Sequence, residues 1–346
     1  MSEKPRANLR VIDIERRRNI RLQNERRRLY PFALIGLSVF CILSFIFFIL
    51  KKKGLISSGG VAGTSFVGIV NTLIVMGFIP LVTASVILLV VKPPTQLILG
   101  SARNRWSFLF APILGILSAM AVWCIRELLV SWVATAAQYV AIPSYLYIGQ
   151  TLLDRSFVIS FLVFLATVLV PATALEFFLR GLVQPGLLEG AGPRLSSFQI
   201  AILLPLALFD TSGFVLIAFG SLISSWVRLS CDSLVASSLT SAGYNFSLLM
   251  SGRVYGIVGT TIFSSITMDD AQYRVFLITC LLFLSLLLIA PIAFIQGLDA
   301  RLKQHEALRG RTVLASERSG ARRFMTIILT LILVTALFAG AFLFST

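Results

Sequence analysis

The feature that most constrains this chain is a series of apolar stretches long enough to cross a lipid bilayer. An α-helix rises 1.5 Å per residue, so about 20 apolar residues cover a hydrocarbon core of about 30 Å. Such stretches recur through the chain, at 30–50, 67–91, 107–133, 156–183, 196–210, 212–228, 232–250, 274–297 and 323–345. They are continuously apolar rather than alternating, which favours helices over a barrel. The sequence therefore predicts an all-α, polytopic transmembrane helix bundle with eight or nine membrane helices.

Composition supports this prediction and excludes soluble classes. Hydrophobic residues make up 57% of the 346 residues and charged residues only 13%, against roughly 25% charged in soluble domains. The four cysteines form no CxxC pair, which disfavours a disulfide framework or a thiolate metal site. The chain has one histidine, His305, in a polar segment. The high apolar and low charged content excludes soluble enzymes and DNA-reading modules.

The distribution of basic residues predicts the topology. The net charge is +15, and the Lys and Arg clusters lie beside apolar stretches, which indicates cytoplasmic loops and anionic lipid rather than nucleic acid. Residues 1–29 form a basic arm, too charged for a signal peptide, and the loops 92–106 and 298–322 are also basic. We expect a cytoplasmic N-terminus, anionic headgroups bound at the arm and a bacterial plasma membrane location. Lys51-Lys52-Lys53 conflicts with this topology, because with nine helices it lies on the opposite side.

Four segments follow from these boundaries. They are a basic cytoplasmic arm (1–29), N-terminal membrane helices (30–155), a membrane core (156–250) and C-terminal membrane helices with a basic loop at 298–322 (251–346).

Ionisable residues within the apolar stretches are the candidate functional residues, because a charge in hydrocarbon costs about 2.5–3.5 kcal/mol on insertion scales. Glu176 and Arg180 are four residues apart, which places them on one helix face. Arg126-Glu127 is an adjacent pair, interpreted as self-neutralising. Asp210 lies at a suspected helix break, and Arg228 and Asp232 flank the next turn.

The segment Leu175-Glu176-Phe177-Phe178-Leu179-Arg180-Gly181 resembles the first motif of the CPBP family of intramembrane endopeptidases. This family includes type II CAAX prenyl proteases and bacteriocin-immunity proteins, and its motif is Glu-Glu-x-x-x-Arg, commonly followed by Gly. The second motif, Phe-x-x-x-His, corresponds to Phe209 through Gly213, and the third, His-x-x-x-Asn/Asp, to Ser241 through Asn245. The resemblance covers about residues 155–250.

This chain departs from the family pattern at the residues that carry the chemistry. Leu175, Gly213 and Ser241 stand where the family has a glutamate and two histidines. The resemblance implies remnant catalytic positions at Glu176, Arg180 and Asn245, substrate-binding positions at Phe209 and Asp210, and no metal. We therefore expect a catalytically degenerate protein that binds a lipidated or helical peptide, or a partner protein, in an immunity-like role.

Two alternatives stay open at this point. One is an active metalloendopeptidase with a rearranged site, which would need zinc. The other is a small transporter or an accessory membrane subunit, with Asp210 as an ion or proton site beside a broken helix. The family interpretation predicts that Glu176, Asp210 and Asn245 converge in one cavity. The transporter interpretation predicts a cavity open to one side with Asp210 unpaired.

Overall fold

The computed structural model describes residues 4–55, 65–100, 106–132, 140–153, 156–210 and 212–261, together with 278, 279, 282–285, 288 and 289. This part of the chain is helical, and its one β-type contact is an isolated bridge between Gly100 and Ser233. The all-α prediction is confirmed for these residues. Within the described ranges, five helices are long and apolar enough to cross a membrane: Ile20–Lys52, Phe66–Val91, Phe108–Val130, Phe157–Ala207 and Phe214–Cys231. The chain is thus indicated to be an integral membrane protein, while the count of eight or nine spans is not confirmed.

The first helix, α1 (Lys4–Lys52), runs without a break from the basic arm into the first apolar stretch. The predicted boundary at residue 29 therefore falls inside one helix. The arm is rich in Arg and also contains Glu and Leu, all of which favour helix. Arg27 in this helix pairs with Glu189 of a later helix, with 2.8 Å between Nε and Oε1. We call the end of the bundle where this pair lies the arm end.

Three further regions build the first half of the bundle. The second apolar stretch is α2 (Ser65–Leu73), a π-helical turn (Ile74–Phe78) and α3 (Ile79–Val91). The chain continues through α4 (Thr95–Leu99) and α5 (Trp106–Trp132). A short helix, α6 (Ser144–Leu152), lies between the apolar stretches 107–133 and 156–183, where the sequence predicts no membrane helix.

The segment Phe157–Ala207 folds back on itself. It comprises α7 (Phe157–Phe164), three π-helical segments (Leu165–Leu169, Pro171–Leu175 and Phe177–Val183) and α8 (Gln184–Ala207). Gly192 interrupts α8 with φ +76°, a left-handed value that glycine adopts without strain. Gln184 donates a hydrogen bond to Ser197, 13 residues on, whereas a straight helix would separate them by about 20 Å.

The break predicted near Asp210 is present. The helix α8 ends at Ala207, and α9 (Phe214–Cys231) begins after a turn. The next helix, α10 (Leu234–Thr261), packs closely along α5. A Cβ added at Gly243 of α10 would collide with the backbone of Pro112 in α5, so the small residue sets how closely these helices approach.

Two large apolar cores fill most of the interior of the described part of the chain, beside a smaller cluster between α5, α9 and α10. One joins α1, α3, α8 and the Leu175–Leu187 region. The other joins α5, α6, α7 and α10. The polar residues singled out by the sequence lie where these two cores meet, because residues from both cores surround Glu176.

Candidate functional site

Glu176 and Arg180 form a buried ion pair. Arg180 Nη1 lies 3.1 Å from Glu176 Oε1, and the two side chains are 0% and 3% exposed, respectively. The prediction that both residues share one helix face therefore agrees with their geometry, although the backbone here is π-helical. Pro171, one turn earlier, lacks the N–H that a regular α-helical ladder uses.

Hydroxyl groups from two other helices complete the surroundings of this pair. Ser237 of α10 donates a hydrogen bond to Glu176 Oε2 at 2.6 Å, and Ser241 interacts with the same carboxylate. Arg180 Nη2 donates to the carbonyl oxygen and the hydroxyl of Ser221 in α9, at 2.7 and 2.6 Å. The pair thus ties three segments together. Sequence reasoning did not assign Ser237 or Ser221 to the site. The four-residue spacing of Ser237 and Ser241 places both hydroxyl groups on one face of α10, and this spacing is the sequence pattern that could have assigned them to the site.

A small cavity adjoins the Glu176 carboxylate. Its volume is about 30 Å³, and Glu176, Ser241 and Asn245 line it together with Tyr145 and apolar side chains. That volume corresponds to about one water molecule. Asn245 Oδ1 accepts a hydrogen bond from the Tyr145 hydroxyl at 3.2 Å. Burial, with a smaller contribution from the Asp210 charge, raises the pKa of Tyr145, so its hydroxyl remains a donor.

Asp210 lies outside this cavity. Its Oδ2 accepts hydrogen bonds from the backbone N–H and the hydroxyl of Ser144, at 2.6 and 2.9 Å. Its Oδ1 accepts from the Ser212 hydroxyl at 3.1 Å and the Gly213 N–H at 2.9 Å. The carboxylate therefore fixes the start of α6 and the turn before α9. Of the three residues expected to share one cavity, Glu176 and Asn245 do so and Asp210 does not.

Phe209 and Asp210 instead line a larger neighbouring cavity of about 380 Å³. Phe209 has a left-handed backbone, φ +52°, and its ring stacks on Phe48 of α1 at a centroid distance of 4.5 Å. The two cavities share Met76, Tyr145 and Leu208 as lining residues, so they are separated by a single layer of side chains. We refer to them as the small cavity and the large cavity.

Gly213, which the sequence resemblance aligns with a histidine, has no room for a side chain. A Cβ there would come within 2.7 Å of the Pro143 Cα and 3.0 Å of Asp210 Oδ1. Gly213 is not among the residues that line the small cavity. The close contacts of Gly213 with Pro143 and Asp210 therefore require a glycine at this position.

Arg228 is a second buried cation near the arm end. Its Nη2 donates to the carbonyl oxygens of Leu97 and Ile98, at 3.0 Å each, and its Nε donates to the carbonyl oxygen of Arg180 at 3.3 Å. Asp232 lies 3.4 Å from Nη1. Arg228 therefore holds α4 against residues 171–183, the segment that carries Glu176 and Arg180, which we call the motif segment. Arg126 and Glu127 contact each other as an adjacent ion pair, in accord with the self-neutralising interpretation.

The donor set does not fit a catalytic zinc ion. Such sites use about three protein ligands, usually with imidazoles, and leave one position open. Within the described ranges no group of three His, Cys, Asp or Glu side chains comes together, and His305 lies outside those ranges. Glu176 Oε1 faces Arg180 and Oε2 accepts from Ser237. Leu175 and Ser241 adjoin the small cavity but supply neither a carboxylate nor an imidazole.

Comparison with known proteins adds no relative, since no family model, curated protein or solved structure matches this chain.

Proposed function

We propose that this chain is an integral membrane protein that binds a lipidated or helical peptide without hydrolysing it. The observation that carries the proposal is the pairing of Glu176 with Arg180 and Ser237. A carboxylate that activates water needs an oxygen within hydrogen-bond reach of that water and of the scissile carbonyl. Here both oxygens have buried protein partners, and the small cavity has room for about one water but not for a peptide bond.

A crevice beside the motif segment suits an apolar ligand. Its volume is about 400 Å³, and its walls come from α3, α4 and Phe177, the residue after Glu176. Leu88, Ile98 and Leu99 supply apolar lining, and Lys92 lies at its edge. Leu99 is 49% exposed, so the apolar surface remains open to a ligand in the bilayer. This is the site we assign to the lipid chain or the apolar face of a peptide.

The two alternatives have less support. An active endopeptidase needs ligands or a base that the small cavity lacks. A transporter that uses Asp210 needs an acid free to bind and release a cation, whereas Asp210 accepts four hydrogen bonds from Ser144, Ser212 and Gly213.

The proposal is tested with purified protein in nanodiscs and a fluorescent farnesylated peptide. We expect saturable binding, and no cleavage above the rate of empty nanodiscs, with or without EDTA. Leu99→Lys should weaken binding roughly tenfold, because it places a charge where an apolar chain packs. Leu89→Lys is the matched control: Leu89 is 74% exposed and does not line the crevice. Chelator-sensitive cleavage, or equal binding by both variants, would refute the proposal.

A further inference from the structure

The large cavity lies at the end of the bundle opposite the arm end and has a distinct polarity gradient. It is partly open, and its volume of about 380 Å³ is within the range of small-molecule sites. Five residues of α1 line it, among them Ser44, Phe48 and the Lys51-Lys52 pair in succession. Their spacing of four and then three or four residues places them on one helix face. The cavity therefore has cations at one end and an apolar wall behind them.

The cations lie where lipid headgroups are found. Lys51 and Lys52 form the last turn of α1, and the candidate membrane span Ile20–Lys52 ends there. Lysines at the end of a span place their ammonium groups at the interface. Within the described part of the chain, neither lysine forms an ion pair. Two uncompensated positive charges thus adjoin an open cavity at headgroup depth.

A buried hydroxyl marks the deeper part of the cavity. Ser44 is 2% exposed, and its Oγ has no hydrogen-bond partner among the described residues. A buried polar group without a partner costs free energy, so it indicates a ligand that supplies one. Between Ser44 and the lysines, the stacked rings of Phe48 and Phe209 form an apolar wall. A ligand that fits has an anionic head, a polar linkage below it and an apolar chain.

Asp210 does not cancel this preference for an anion. It also lines the cavity, but its hydrogen bonds hold it between the N-termini of two helices, where the backbone N–H of Ser144 in α6, the backbone N–H of Gly213 before α9 and the helix dipoles offset its charge. The two lysines outnumber this single acid. The cavity is therefore net positive.

We propose that the large cavity binds an anionic phospholipid, with its phosphate at Lys51 and Lys52 and its ester linkage near Ser44. This site also explains the sequence feature that conflicted with the predicted topology. Lys51 and Lys52 are retained for ligand binding, so they need not follow the distribution of positive charge that orients the helices. The proposal is independent of peptide binding, because it concerns the opposite end of the bundle.

The test measures the affinity of a fluorescent phosphatidylglycerol for the full chain in phosphatidylcholine nanodiscs. An ammonium group in direct contact with the phosphate contributes about fivefold to binding, so Lys51→Gln/Lys52→Gln should weaken binding roughly 30-fold. Lys53→Gln is the matched control, since Lys53 has the same charge but does not line the cavity, and its effect should stay within about twofold in buffer of physiological ionic strength, where attraction without contact is screened. Ser44→Ala should weaken binding about threefold, through loss of one hydrogen bond.

Three outcomes would overturn the proposal. The first is an equal loss of affinity in the Lys53→Gln and the Lys51→Gln/Lys52→Gln variants, which indicates unspecific attraction. The second is equal affinity for phosphatidylcholine. The third is displacement of the lipid by water-soluble glycerophosphoglycerol at similar concentrations, which indicates a site for a soluble phosphate ester. Unchanged helical content and elution volume show that each variant is folded.

Discussion

Replacing Arg180 with methionine is expected to destabilise the folded protein by about 3–5 kcal/mol, because it leaves the buried Glu176 charge without its partner. Both side chains are at most 3% exposed, so solvent cannot replace the lost interaction. The free energy of unfolding is measured in detergent micelles by titration with denaturing detergent. Arg27→Met is the control. Its ion pair with Glu189 lies at the surface, with Arg27 42% exposed, and its loss should cost at most about 1 kcal/mol.

A double-mutant cycle separates the pair from its surroundings. Glu176→Gln in the Arg180→Met background removes the unpaired charge, so the double variant should be more stable than Arg180→Met alone. A coupling free energy of about 2 kcal/mol or more is expected for contacting buried groups. Additive losses would mean that the two side chains do not interact in the folded protein.

Replacing Asp210 with alanine is expected to cost about 3 kcal/mol, because a charge-assisted network of four hydrogen bonds is lost. Asp210→Asn should cost less, since its amide oxygen still accepts from one side of the turn. Thermal unfolding in detergent measures both changes. Glu189→Ala is the control, because its ion pair with the 42% exposed Arg27 lies at the surface and the loss of this pair should cost at most about 1 kcal/mol. If Asp210→Ala left the melting temperature unchanged, Asp210 would not serve as the structural cap described here.

The sequence was most informative where a physical requirement acts locally. Apolar stretches of membrane length predict helices, and a carboxylate four residues from an arginine predicts an ion pair on one face. The break at Asp210 was also predictable, because a polar Asp-Thr-Ser-Gly run follows an apolar stretch. Each of these features depends on residues close together in the chain.

The remaining features depend on contacts between distant segments. Ser221 and Ser237 reach the Glu176–Arg180 pair from α9 and α10, and no local pattern specifies that packing. The short helix α6 forms against the Asp210 carboxylate, 66 residues from Ser144. For the same reason, placing Asp210 with Glu176 and Asn245 in one cavity was wrong. Spacing along the chain orders the motifs, but it does not fix which cavity each side chain enters.

We propose that Glu176 holds Arg180 within the bundle and does not hold a metal ion that activates water. It is tested most directly by titrating the purified, chelator-treated protein with Zn²⁺ and comparing it with Glu176→Gln by calorimetry. We expect no high-affinity zinc binding in either protein, and no peptide cleavage after zinc is added. One zinc ion bound tightly per chain, lost in Glu176→Gln and accompanied by cleavage, would contradict the claim.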